Sequence, residues 1–155
     1  MKMGNKVRKA LLRDIEEIAD NNILMAKETE NKIFDKKIVI KGVKAVIEDP
    51  NKGFYLVAEE ADGKKIVGQL MITFEWSDWR NKFFWWIQSL YVNKEYRNRR
   101  IFTGLYKELV ELTKSRENVC GLRLYVEEHN ESAKKIYETL GMKRTPYEIF
   151  EVLYD

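Results

Sequence analysis

The chain has 155 residues, 45% hydrophobic and 34% charged, a balance that suits one soluble domain with a packed core and excludes a disordered chain. No apolar run approaches the roughly 20 residues of a membrane-spanning helix, and no apolar stretch follows the basic start Met1–Arg13, so neither a membrane partner nor a signal peptide is expected. The net charge of +3 is too small to argue for a nucleic-acid surface, and a single cysteine, Cys120, cannot form an internal disulfide, which points to a reducing compartment, most simply the cytoplasm.

Val7 to Leu12 reads as a short first strand. Asp14 then has the character of a helix N-cap, with Glu17 in the capping-box position and Ile15, Ile18 and Ala19 continuing at helical spacing. A second helix is predicted over about Lys36 to Ile47, with Ile38, Gly42, Ala45 and Val46 on one side, closed by Pro50 and Gly53. Phe54–Glu60 and Lys65–Phe74 read as strands around the turn dipeptide Asp62-Gly63, and Phe83–Val92 as a third member of an antiparallel meander. Alternation requires Trp85 and Trp86 to face opposite sides of the sheet.

A basic loop follows, Asn93 to Arg100, holding Lys94, Arg97, Arg99 and Arg100 against one acid, Glu95. A helix then begins near Ile101, with Ile101, Leu105 and Leu109 on its apolar face. Gly121 leads into a strand over Leu122–Val126. Asn130 caps a further helix carrying Ala133, Ile136, Tyr137 and Leu140 on one stripe, ended by Gly141, and Tyr147–Tyr154 alternates as a final strand. The order βααβββαβαβ predicts one mixed α/β domain spanning 1–155. Its basic loop joins the carboxyl end of a strand to the amino end of a helix, where backbone N–H groups and the helix dipole favour phosphate.

The segment Tyr91-Val92-Asn93-Lys94-Glu95-Tyr96-Arg97-Asn98-Arg99-Arg100-Ile101-Phe102 resembles the acetyl-CoA motif of the GNAT superfamily of N-acetyltransferases. The spaced pattern Asn130, Ala133, Tyr137, Leu140-Gly141-Met142 resembles a second motif of that family, at the proper separation. Locally, Phe74-Glu75-Trp76-Ser77-Asp78-Trp79 is similar to the diamine and polyamine branch. The resemblance implies a mixed, mostly antiparallel sheet whose central parallel pair splays at a bulge, flanked by helices. It implies acetyl-CoA as co-substrate, a primary amine (a small molecule by preference) as acceptor, and a homodimer.

By resemblance, Leu90, Tyr91 and Val92 pair with the pantetheine arm. Arg97, Asn98, Arg99, Arg100, Ile101, Phe102 and Thr103 hold the phosphates, and Asn130 contacts the arm near the thioester. Tyr137 lies near the sulfur and donates a proton to the departing thiolate. The amine attacks directly in a ternary complex. Arg100 and Phe102 stand where the family usually has glycine or alanine; Arg100 is expected to take helical angles and Phe102 to turn inward. Gln88 occupies the place where some polyamine-acetylating relatives have glutamate, and can hold a water. Glu75 and Asp78 are alternative bases or ammonium anchors, with Trp76 and Trp79 as candidate acceptor-pocket walls.

His129 reads as a loop residue and Cys120 as structural. One His and one Cys give no metal-ligand spacing. Three other functions fit the same residues: acetylation of a peptide or protein amine, sensing of acyl-CoA without turnover, and nucleic-acid binding through the basic loop.

Overall fold

The computed structural model describes residues 4–154; the ends of the expected 1–155 span, 1–3 and 155, lie outside them. Five strands form one sheet in the order β1-β2-β3-β4-β5. They are β1 Lys6–Lys9, β2 Phe54–Glu59, β3 Ile66–Ser77, β4 Lys82–Val92 and β5 Val119–Arg123. The first four pair antiparallel and β4 runs parallel to β5. The helices are α1 Ile15–Glu30, α2 Lys36–Glu48, α3 Ile101–Lys114 and α4 Glu131–Thr139. No helix among the described residues is long and apolar enough to cross a membrane.

Period-two alternation along the strands gives the sheet two apolar faces. On one, Leu56, Leu70, Ile72, Trp85 and Ile87 bury against Ile101, Leu105 and Leu109 of α3. On the other, Tyr55, Val57 and Ile66 bury against Ile18 and Ala19 of α1 and Val43 of α2. Each fully buried aliphatic side chain contributes roughly 1.5–3 kcal/mol. Trp85 belongs to the α3 face, and Trp86, next along the strand, points to the other. Gly68 lets α3 seat closely on β3, since a Cβ there would stand 2.5 Å from Ile101 Cγ2.

Several boundaries differ from the sequence reading. The first strand ends at Lys9 and is followed by a 3₁₀ turn at Leu12–Asp14. Asp14 does not cap α1 with its side chain. Its carboxylate accepts from the Leu11 N–H and from both terminal nitrogens of Arg8, and Glu17 accepts from the Ile66 N–H. The tertiary cation and a strand N–H outcompete the local capping box. On α2 the inward stripe is Val39, Val43, Val46 and Ile47, while Ile38 is exposed. Asp35 sets the start of that helix by accepting from the Lys37 N–H.

The fifth strand begins three residues earlier than Leu122. Gly121 lies inside it, where the Phe84 ring packs so closely that a Cβ would stand 3.1 Å from it. Cys120 Sγ donates to the Phe83 carbonyl oxygen of β4. In the unit after Leu124, α4 is capped as its sequence predicts: Asn130 accepts from the Ala133 N–H, and Gly141 takes a left-handed φ of 86°. The expected strand over Tyr147–Tyr154 is not formed; its alternation satisfies a strand's side-chain pattern without a ladder partner.

Candidate active site

The site begins with a register slip. Met71 lies opposite Gln88 and Gln69 opposite Tyr91, so β3 advances two residues while β4 advances three. The extra residue makes a bulge at Ser89 and Leu90, and Ser89 takes the left-handed φ of 50°. A serine in that conformation needs support. The Tyr55 hydroxyl, pushed up in pKa by burial, interacts with the Ser89 side chain and accepts from Asn22 Nδ2 at 3.3 Å. Asn22 Oδ1 in turn accepts from Gln69 Nε2 at 2.9 Å, and the fully buried Gln69 accepts from Asn21 at 2.9 Å. A polar chain thus runs from the sheet interior to the bulge.

Before it reaches the bulge β4 has already left its parallel neighbour. The β4–β5 pairing covers Phe83 to Trp86, with no β5 partner from Ile87 to Val92 among the described residues. Leu90 and Val92 pack on the α3 face. Tyr91 is buried on the α1 side, and its hydroxyl donates to Glu28 Oε1 at 3.2 Å.

The basic loop then turns through a 3₁₀ segment, Lys94–Tyr96, begun by Asn93 accepting from the Glu95 N–H. Asn98 and Arg100 both have left-handed backbone, with φ of 62° and 60°. Arg100 therefore does not take the helical angles expected of it; it does what a glycine at that place would do, reversing the chain into α3. Ile101 is the inward residue of the first turn. Phe102 stacks instead on Tyr106 of the next turn, centroids 5.9 Å apart, because Ile101 and Leu105 already fill the space over Gly68. The first turn of α3 carries no acid, and its first intrahelical bond runs from the Gly104 N–H to the Arg100 carbonyl. The N–H groups of Ile101 and Thr103 come before that bond and lack an intrahelical acceptor.

Arg97 is engaged by its own chain. Its Nη2 donates to Glu28 Oε2 at 2.6 Å, its Nε donates to the Val92 carbonyl at 3.0 Å, and the guanidinium lies over the Tyr91 ring. Arg99 lies over the Tyr96 ring. A cavity of about 300 Å³ opens on the α1 side of the bulge, lined by Asn22, Met25, Thr29, Phe34, Val39 and Ser89.

The other candidates are more dispersed. Gln88 Nε2 donates to Thr73 Oγ1 at 2.5 Å, one residue before the bulge. Glu75 is held by Arg123 Nη1 at 2.7 Å, a cation that occupies the carboxylate an ammonium would need. Trp76, Asp78 and Trp79 sit at the β3–β4 hairpin tip, where Trp79 is exposed and Asp78 accepts from the Trp79 N–H. Trp76 is five residues along β3 from Met71, roughly 17 Å from the bulge. In the second unit, Asn130 is committed to its N-cap, and desolvation raises the pKa of the Tyr137 hydroxyl, keeping it protonated at neutral pH.

A family model described as the acetyltransferase (GNAT) family matches residues 23–142. The chain belongs to the GNAT acetyltransferase family. A "possible acetyltransferase" from Clostridium difficile 630 is 44% identical over 99% of both chains, with a TM-score of 0.90. Two more distant likenesses concern the fold alone. A "predicted acetyltransferase with acetyl-CoA" from Clostridium acetobutylicum is 22% identical over 96% of both chains, with a TM-score of 0.75. A ribosomal-protein-alanine N-acetyltransferase from Brucella melitensis biovar Abortus 2308 is 17% identical over 97% of this chain and 99% of that one, also at 0.75. No curated protein matches.

This acetyltransferase therefore uses acetyl-CoA as its acetyl donor. The residues present fit that group. The reach of β4 without a β5 partner offers backbone to an amide-bearing arm, and the two left-handed residues Asn98 and Arg100 lead the loop into the amino end of α3, a place that favours phosphate. Ser89, Tyr55 and Asn22 were not singled out by sequence as site residues; Glu28 reads there, with Glu16, Glu17 and Glu30, as part of a solvated acidic helix face able to attract a cationic amine. The only trace of the bulge in the sequence is a polar pair, Gln88-Ser89, interrupting an otherwise apolar stretch of β4.

Proposed function

We propose that this acetyltransferase acetylates a primary amine on a small molecule with an apolar or alkyl body. The cavity beside Ser89 carries the reading. It lies against the bulge, and it combines the apolar walls Met25, Phe34 and Val39 with the polar Asn22 and Thr29 and the carboxylate-bearing Glu30. A volume of about 300 Å³ is that of a small-molecule site. The alkyl diamines and polyamines suggested by the Phe74–Trp79 resemblance are the first acceptors to try.

Acetyl-CoA supplies an acetyl group activated as a thioester. Arg97, Arg99, Arg100 and the amino end of α3, through Asn98, Ile101, Phe102 and Thr103, bind its phosphates. Backbone groups of Leu90, Tyr91 and Val92 orient the arm, with the Tyr91 N–H as donor to the carbonyl oxygen. Gln88, anchored by Thr73, positions a water that relays the ammonium's proton to bulk solvent. The Tyr137 hydroxyl gives its proton to the departing sulfur, and Asn130 orients the arm beside it.

Calorimetry with acetyl-CoA tests the donor half of this reading. Micromolar binding, weakened in an Arg97→Ala/Arg100→Ala variant, is the expected result; no binding at millimolar acetyl-CoA overturns it. Tyr137→Phe should bind acetyl-CoA normally while turnover of an accepted amine falls about 10²-fold or more. Unchanged turnover removes Tyr137 from the chemistry.

A further inference from the structure

The donor loop and the acceptor wall are tied together by one ion pair. Glu28 stands in the last turn of α1, the helix whose Asn22, Met25 and Thr29 line the cavity. Both of its carboxylate oxygens are used, one by the Tyr91 hydroxyl and one by Arg97. A carboxylate at a helix carboxyl end is opposed by the dipole, so these donors are what hold it there. Arg97 comes from the phosphate loop, and it turns back toward α1 to make the bond. Both side chains keep solvent access, 43% for Arg97 and 34% for Glu28. Such a pair exchanges partners easily, unlike a buried one.

We propose that Glu28 and Arg97 form a latch that the donor's diphosphate opens, releasing the Glu28 carboxylate to attract the cationic acceptor amine at the cavity rim. This rests on the diphosphate binding at Arg97 argued above. A diphosphate carries more charge than one carboxylate and matches the guanidinium fork, so it displaces Glu28 from it. Glu28 then keeps the Tyr91 hydroxyl and the more distant charge of Lys94 but loses its bonded cation, one turn from Met25 and next to Thr29, and an ammonium is a partner that can take that place. The exchange moves no covalent bond and no proton. It makes donor and acceptor binding favour one another, and it favours acceptors that arrive as ammonium ions.

The test is a double-mutant cycle read by calorimetry with acetyl-CoA alone, on wild type, Glu28→Gln, Arg97→Ala and the double variant. Removing the internal competitor should tighten binding about two- to fivefold in Glu28→Gln. That gain should vanish in the Arg97→Ala background. A gain that persists without Arg97 reflects only the loss of a nearby negative charge and overturns the latch. So does equal or weaker binding in Glu28→Gln, which would make Glu28 a prop for the loop. Circular dichroism confirms that each variant is folded, and Glu28→Ala, also expected to bind tighter, guards against an effect peculiar to glutamine. If wild type itself binds no acetyl-CoA, the donor-site reading falls and the latch with it; if wild type binds and the cycle shows no coupling, the latch alone falls.

Discussion

Arg100 pays for its place in the loop with backbone strain. A left-handed φ costs a residue bearing a Cβ about 1–2 kcal/mol, while glycine takes it freely at the cost of about 0.5–1 kcal/mol of extra chain entropy. Arg100→Gly should therefore raise unfolding stability by about 0.5–1 kcal/mol, read from thermal or urea unfolding, while weakening acetyl-CoA binding through the lost guanidinium. A destabilised variant would mean the arginine side chain holds the loop. The position of Arg100 was legible in the sequence, because the motif around it counts residues. Its conformation was not, since arginine gives no sign of left-handed backbone, whereas Asn31, Asn81 and Asn98, which share it, are residues that tolerate it. Ser89 was missed for the same reason.

Among the elements, the best-read ones carry their own punctuation. The Asp62-Gly63 turn and the caps of α4 by Asn130 and Gly141 stand where their chemistry places them. Elements whose ends depend on distant partners were read poorly. Asp14 looks like a cap and serves Arg8, Gly121 looks like the lead-in to a strand and lies inside it against Phe84, and Tyr147–Tyr154 has a strand's alternation without a strand's neighbour. Gly68 is the sharpest case of a tertiary requirement hidden in a strand. Gly68→Ala should cost about 1–3 kcal/mol by pressing on Ile101, with a lower urea midpoint and an unchanged slope. Because Ile101 opens α3, that variant should also weaken acetyl-CoA binding; full stability and affinity would show that the helix can shift without harm.

For the molecule as a whole, the two family motifs and the βαβ crossover between them made the fold legible. What no motif announced is the Arg8 cluster that joins β1, β2 and the start of α1. Arg8 bonds Asp14 at 2.7 Å and Glu59 at 2.8 Å, both carboxylates being largely buried. Burial raises the Asp14 pKa, but the bonds from Arg8 and the Leu11 N–H outweigh it and leave it lowered; Arg8 lowers that of Glu59 directly. Depressed folded-state values mean that this stability is complete above the ordinary carboxylate range and is lost as pH falls through the depressed values. Arg8→Met leaves two buried carboxylates without their cation and should cost about 3 kcal/mol at neutral pH. The penalty should shrink in acid, where protonation relieves both groups. Unfolding curves at neutral and acidic pH measure this, and a cost independent of pH would show that Arg8 acts by packing alone.

The lone sulfhydryl bears on how such an enzyme is watched at work. Acetyl transfer liberates one thiol per turnover, and the polypeptide contributes a single thiol of its own, half-buried and hydrogen-bonded to the Phe83 carbonyl. A colorimetric count of sulfhydryl groups therefore has a fixed ceiling of one per chain on its background. Everything above that ceiling is product.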